Sequence, residues 1–329
     1  MSLAGSGDDL DLLRSIRALA ASSGQAQAAP EAARLPVRPG TRLLAGDCLA
    51  LLEAQFASRN LDEAARWLRE RGSGYYTIGS AGHESNAAVA AALRPSDPAL
   101  LHYRSGAFYL VRAAQAGRAE EAMRDVLLGV VAAAEEPIAG GRHKVFGHRE
   151  LNVIPQTSTI ASHLPRAVGL AFSLDRAVRL DCLPPWPADS IVVASFGDAS
   201  VNHSTAAGAI NAAGYCAYQR LPLPLLLVCE DNGLGISVRS PAGWTAAALR
   251  GRPGLRYEHA DGTDIAAVYD LTAGLAAYVR EHRSPAILHL SVVRLDIGWS
   301  GTNAVASEIR EVAANRSRNG PRSTARCQP

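Results

Sequence analysis

Lysine is almost missing from this chain. Lys144 stands alone, so arginine carries nearly all of the 33 positive charges. With so much alanine around it, this bias reflects the base composition of the gene more than a function. Charge of either sign is also in short supply as a net quantity: +2 over 329 residues is too little to argue for nucleic acid or for a membrane surface as partner. Five cysteines, Cys48, Cys182, Cys216, Cys229 and Cys327, show no metal-like spacing, and a reducing cytosol is the expected compartment. No apolar run reaches the roughly 18 residues of a membrane span. Asp8, Asp9 and Asp11 close behind Met1 argue against a secretory or transit peptide. What is present, 48% hydrophobic and only 19% charged residues, suffices for a large buried core in one big domain or two.

The chemistry-bearing residues lie where apolar runs stop. Ile191 to Phe196 reads as a buried parallel strand closed by Gly197, followed by Asp198, Ala199 and an Ala-rich helical stretch from Thr205 to Tyr218. The next apolar run, Leu223 to Cys229, ends in Glu230-Asp231-Asn232-Gly233. Ligands of open α/β sheets sit outside the carboxyl ends of strands, so both ends address one crevice. A helix amino terminus there attracts phosphate, whereas a carboxylate would repel it. A divalent cation between the two resolves the conflict. Asp198, the Asn232 amide oxygen and a nearby backbone carbonyl, assigned to Leu234, are hard oxygen donors of the kind Mg²⁺ takes. The pattern reads as a metal-bridged diphosphate site. The plainer alternative makes Asp198 a helix cap and Asn232 a turn residue, positions both types favour.

Other nucleotide and nucleophile motifs fail. Gly197-Asp198-Ala199 lacks the later glycines of a dinucleotide fingerprint, and Gly140-Gly141-Arg142-His143-Lys144 lacks the first glycine and the Ser/Thr of a phosphate loop. No Gly-x-Ser-x-Gly elbow falls at a strand–helix junction.

Residues 1–38 read as a peripheral segment, with one amphipathic helix over Leu10 to Ala21 and an Ala/Pro-rich linker to Pro39. A main domain over 39–300 and an irregular tail over 301–329 complete the division. The patterning predicts helices over Thr41–Arg71, Gly82–Leu93, Phe108–Ala116, Ala119–Val131 and Ala266–Arg280, and another over Ile160–Arg179 interrupted near Pro165. Leu100–Tyr103 and Ala286–Leu295 read as strands, and Glu136–Gln156 as a surface loop that carries His143 and His148. Alternating strands and helices indicate an α/β fold, a parallel sheet with helices on both faces.

Four segments in this order, Ser80-Ala81-Gly82-His83-Glu84-Ser85, His102-Tyr103-Arg104-Ser105-Gly106, Thr157 to Pro165, and Gly197-Asp198-Ala199 with Glu230-Asp231-Asn232, carry a resemblance. From about Leu43 to Leu295 the chain resembles the alpha subunit of the decarboxylating dehydrogenase component of 2-oxoacid dehydrogenase complexes. The resemblance implies a thiamine-diphosphate-binding fold, with thiamine diphosphate and Mg²⁺ as cofactors. It implies that Tyr103 and Arg104 hold the diphosphate, that Ser158 and Ile160 touch the pyrimidine–thiazolium region, and that Gly197, Asp198, Ala199 and Asn232 belong to the same site. Arginine's planar fork and tyrosine's hydroxyl suit phosphate oxygens. His83 and Glu84 read as positioning the first helix. Thr157, Ser158, Ser162 and His163 are either polar caps or, as in some members, a loop around a monovalent cation. The implied activity is oxidative decarboxylation of a 2-oxo acid with acyl transfer to the lipoyl arm of an acyltransferase component. The implied partner is a beta subunit, or the beta half of a fused chain, in a two-plus-two tetramer. Branched-chain 2-oxo acids are the first expectation, from Gly141-Arg142 and Arg149-Glu150, ahead of pyruvate and acetoin.

One departure stands near the end. Where the family has Gly-His after its last strand, this chain reads Gly298-Trp299-Ser300-Gly301, and no histidine follows His289. Indole cannot exchange a proton near neutral pH as imidazole can. The expectation is at least about a hundredfold lower turnover, the scale of losing a general acid–base group. A truncated, frame-shifted or degenerate chain that keeps the fold and binds partner or cofactor is the alternative reading.

Overall fold

The computed structural model describes residues 31–75, 78–142, 145–182, 184–235 and 238–293. The chain divides into two compact units, residues 1–49 and 50–329. The described part of the first carries a 3₁₀ turn, Ala32–Arg34, and an antiparallel bridge between Pro36 and Leu44. Helix α1 covers Ala45–Glu70.

In the second unit a seven-stranded sheet is built from β1 (Ala99–Leu100), β2 (Val145–His148), β3 (Val153–Thr157), β4 (Val192–Gly197), β5 (Leu225–Asp231), β6 (Arg256–Asp261) and β7 (Ala286–Ser291). Their order across the sheet is β2-β3-β1-β4-β5-β7-β6. Every pairing is parallel except β2 with β3, which run antiparallel with a bulge between Phe146 and His148. The helices are α2 (Asn86–Ala91), α3 (Gly106–Gln115), α4 (Ala119–Val130), α5 (Leu164–Arg179), α6 (Ser204–Tyr218), α7 (Trp244–Arg250) and α8 (Ile265–His282).

Side chains along a strand alternate between faces, and the sheet uses both. Val192, Ala194 and Phe196 of β4 and Leu225, Leu227 and Cys229 of β5 pack with Leu164, Ala167 and Ala171 of α5 and Ala206, Ile210 and Ala213 of α6. The intervening residues, Val193 and Ser195, Leu226, Val228 and Glu230, face the other way and are also buried. On that side α8 packs on β5 and β7, and α2 lies against α3 and α8. Continuous apolar runs in β4 and β5 are the signature of strands covered twice. Asp97 pins this layer: its carboxylate accepts from the Ile191 amide (3.0 Å) at the entry to β4 and from Arg280 on α8 (2.7 Å).

Several expectations are corrected. The stretch 136–156 is no plain surface loop; it contains β2 and reaches into β3, so the sheet is mixed at that edge. Pro155 stands in β3, in an edge pair whose bulge tolerates the missing amide. β6 and α7 were not anticipated: β6 is an edge strand with charged, exposed positions, Arg256 and Asp261 among them, so no apolar period marks it. Pro165 does not interrupt α5; it occupies the first turn, where its missing amide costs nothing. β1 is shorter than the run 100–103, and β7 ends at Ser291. The tail, Trp299 and the helix foreseen over 10–21 lie outside the described residues.

Candidate functional site

β4 and β5 end side by side, with Gly197 paired to Glu230. The 3₁₀ turn Asp198–Asn202 follows β4 directly and buries Asp198 to 2% exposure. The Asn232 backbone amide donates to the Asp198 carboxylate, as does the Ser240 hydroxyl. Burial pushes the Asp198 carboxyl up, the two hydrogen bonds oppose that, and the nearby charge of Asp231 pushes it up again. The loop after β5 folds back on itself: Ser240 N–H donates to Gly233 O (3.0 Å) and Gly235 N–H to Val238 O (2.7 Å). This return places Ser240 over Asp198 and sets Gly235 against Ala199, where an added Cβ would stand 3.2 Å from the Ala199 methyl. Asp198 thus meets the Asn232 amide, Ala199 meets Gly235, and Leu234 is tied to the Asn232 side chain.

The Asn232 side chain is held at both ends. Its Nδ2 faces His83 Nε2 at 3.0 Å, and its Oδ1 accepts from the Leu234 amide at 2.9 Å. His83 in turn sets Nδ1 against Glu230 Oε2 at 3.2 Å. A carboxylate only accepts, so Nδ1 carries a hydrogen, and Nε2, facing the Asn232 N–H donor, accepts from it. This bond fixes which way the amide points. Glu230 is fully buried, and Asn86 Nδ2 donates to its other oxygen at 3.0 Å. Burial would raise the Glu230 carboxyl, but the imidazoles beside it overturn that and hold it at about 2. His102 Nδ1 stands 3.7 Å from Glu230, too far for a hydrogen bond, and is buried without a partner. Burial brings His102 down to about 4.

Asn86 also accepts from the Phe108 amide (2.7 Å), satisfying a free donor in the first turn of α3. Glu84 turns the other way, to Arg59 (2.9 Å) and the Gly82 amide. Of the pair expected to position a helix, Glu84 ties down its surroundings, while His83 belongs to the site. A second relay borders it: Tyr257 OH meets His289 Nδ1 at 2.7 Å, and His289 Nε2 meets Asp231 Oδ2 at 3.0 Å. Burial raises the Asp231 carboxyl, and the bonds from His289 and the Gly233 amide bring it below its ordinary range.

Tyr103 and Arg104 follow β1 and are half-buried. The Tyr103 ring lies 4.0 Å from that of His102, and Arg104 donates through Nη1 to the Gly79 carbonyl. Tyr103 and Ser158 line one cavity of about 230 Å³ that also reaches Asp62, Tyr109 and Asp125. Ile160 is not among its lining residues; it packs on the core beside α5 and α6. Thr157 and Ser162 spend their hydroxyls within the loop, on Thr159, and His163 bonds Ser195 O at 2.7 Å. His148, expected in a loop, is a buried β2 residue. His143 lies outside the described residues.

Ser240, Tyr257 and His289 escaped the sequence reading. Ser240 carries no motif, and Tyr257 sits in the unanticipated β6. His289 does have a signal, a polar residue inside an apolar strand.

A parallel sheet covered on both faces, with polar residues gathered beyond the carboxyl ends of its central strands, defines an α/β protein with its site at the strand tips. The sequence model of the family "Dehydrogenase E1 component" matches residues 53–297, and the chain belongs to that family. It is 25% identical over 170 residues to the mitochondrial 2-oxoisovalerate dehydrogenase subunit alpha of Mus musculus, covering 51% of this chain and 35% of that protein. With the Caenorhabditis elegans subunit it shares 28% over 199 residues, 59% of this chain and 41% of the relative. The chain thus spans well under half the length of these relatives. Transketolases from Pichia stipitis (a point mutant) and Leishmania mexicana superpose with TM-scores of 0.49 and 0.47 at 16% and 13% identity, over 73% of this chain and 36% of each of theirs. At those scores neither carries the assignment.

Proposed function

We propose that this chain is the alpha subunit of a 2-oxoacid dehydrogenase, binding thiamine diphosphate through Mg²⁺ and working with a beta chain, with a branched-chain 2-oxo acid as first substrate. The single observation that carries this is Asp198: a buried carboxylate at the tip of β4, raised by burial and by Asp231, bonded to the Asn232 amide. A buried carboxylate with a second negative charge in its neighbourhood calls for a cation. The donor set fits a hard divalent ion: Asp198, the lone pair left on Asn232 Oδ1, and the Leu234 carbonyl. Tyr103 and Arg104 would hold the diphosphate, with Arg104 released from the Gly79 carbonyl. Ser158 would meet the organic rings from the cavity side, and Ile160 would support that wall from the core. When bound, thiamine diphosphate supplies the electron sink for decarboxylation. The chain's own part is to fix the metal and diphosphate and to keep water out. The beta chain would complete the site in a two-plus-two tetramer in the cytoplasm, and a lipoyl acyltransferase would take the acyl group.

A second reading, a chain that binds cofactor and partner without turnover, is favoured by Trp299 standing where the family has histidine. One experiment separates them. Calorimetry on the chain with its beta partner should show thiamine diphosphate binding that chelator abolishes and that Asp198→Ala removes. Equal affinity with and without chelator would refute the metal bridge. Turnover by the same complex of a branched-chain 2-oxo acid, at the rate of a member with histidine at that place, would rule out the second reading.

A further inference from the structure

Away from the strand tips, a second group of ionisable side chains meets where α4 faces β2. Glu121 and Asp125 are four residues apart on α4, so they share one helix face. His148 is the last residue of β2, just past the bulge at Phe146–His148, a distortion of the kind that re-aims a side chain. One donor atom from each of the three lies within 4.8 Å of the others. Asp125 and His148 are 7% and 8% exposed. Asp125 Oδ2 and His148 Nδ1 are both buried and without a hydrogen-bond partner. Two such atoms within one cluster need an explanation, because buried polar groups are nearly always paired.

We propose that Glu121, Asp125 and His148 form a binding site for a divalent transition-metal ion, zinc first, beside the cavity that Asp125 lines. Two carboxylates and one imidazole form a mixed oxygen–nitrogen set, which suits zinc or manganese, and zinc binds such a set more tightly. Donors around tetrahedral zinc stand roughly 3.3 Å apart for bonds of about 2.0–2.1 Å. The three groups therefore need to close by no more than about 1.5 Å. Glu121 is exposed and can supply that movement and the route of entry. Its present partner, Arg118 at 2.6 Å, is a surface ion pair that gives way at little cost. An ion here would tie α4 to β2 and stiffen the cavity that Tyr103 and Ser158 also line.

The test is zinc calorimetry on the full chain in excess Mg²⁺, which keeps the Asp198 site out of the measurement. One zinc per chain is expected, with a rise in melting temperature that chelator reverses. Asp125→Asn and His148→Gln should each weaken zinc binding by at least about tenfold. Should either fail to fold, the exposed variant Glu121→Gln must show the same loss. His102→Gln, which breaks the other imidazole–carboxylate cluster, should leave zinc affinity unchanged. No saturable zinc binding, or binding lost in His102→Gln but kept in Asp125→Asn, overturns the proposal.

Discussion

His83 holds one ring nitrogen toward a buried carboxylate and the other toward the Asn232 amide, so its tautomer decides the orientation of a proposed metal ligand. His83→Leu should leave the Asn232 amide free to turn over. Metal-dependent cofactor binding should then weaken about tenfold, the worth of roughly one hydrogen bond; calorimetry with the beta partner reads this, and unchanged affinity would show that the bond positions nothing. Asp62 makes the case for pH. It lines the cavity, and burial lifts its carboxyl from 3.8 to about 6 against the pull of Ser80 and Arg66, with Glu84 adding to the rise. A carboxyl raised in the folded state contributes stability that is fully present below its unfolded value near 3.8 and is lost as pH climbs through about 6. Between those limits the wild type should lose on the order of 1–3 kcal/mol relative to Asp62→Asn. Urea midpoints of the two proteins, compared at pH 4 and 7, check it; curves that stay parallel would contradict the shift.

Among the elements, those with a period were legible and those without were not. β4, β5 and β7 are unbroken apolar runs, and α5 and α6 carry small apolar residues at helical spacing, so their type could be read directly. β2, β3 and β6 lie toward the two edges, with Pro155, Gly147 and charged Arg256 in place of an apolar pattern. Edge strands are selected against that pattern, which is why a stretch rich in glycine and charge passed for a loop. The site divides in the same way. Asp198 and Asn232 announce themselves by ending apolar runs. Glu230 was read only as part of the strand's end; the structure shows it in step with Leu226 and Val228 and fully buried. Its partners His83, Asn86 and His102 are brought to it by pairings more than a hundred residues apart in sequence, which no local pattern records. Gly147 tests the edge. A Cβ there would lie 2.6 Å from Pro155 Cα across the bulge, and neither backbone can retreat without breaking the β2–β3 register. Gly147→Ala should cost about 1–3 kcal/mol, the range for overpacking, measured by chemical unfolding. A loss below about 0.5 kcal/mol would mean the edge is looser than its geometry.

At the scale of the whole molecule, the dehydrogenase family membership rests on residues 53–297, and the sheet within that span is assembled out of sequence order. β1 is two residues long, and both its partners come later in the chain: Val153 on one side, Val193 and Ala194 on the other. This ordering has a consequence on the ribosome. Between Leu101 and Val192 lie 90 residues, on the order of 5–20 s at ordinary translation speed. Throughout that interval the Ala-rich α2 has no α8 to lean on, and non-local parallel pairing is slow even once the strands exist. Chains stalled short of Ile191 should be digested completely by a dilute protease, and chains released past Val293 should keep a resistant core. Resistance in the short chains would mean that the amino-terminal helices fold on their own. As the topology stands, the nascent protein passes through a window in which β1 has no strand to pair with, and slower codons between 101 and 192 would lengthen it.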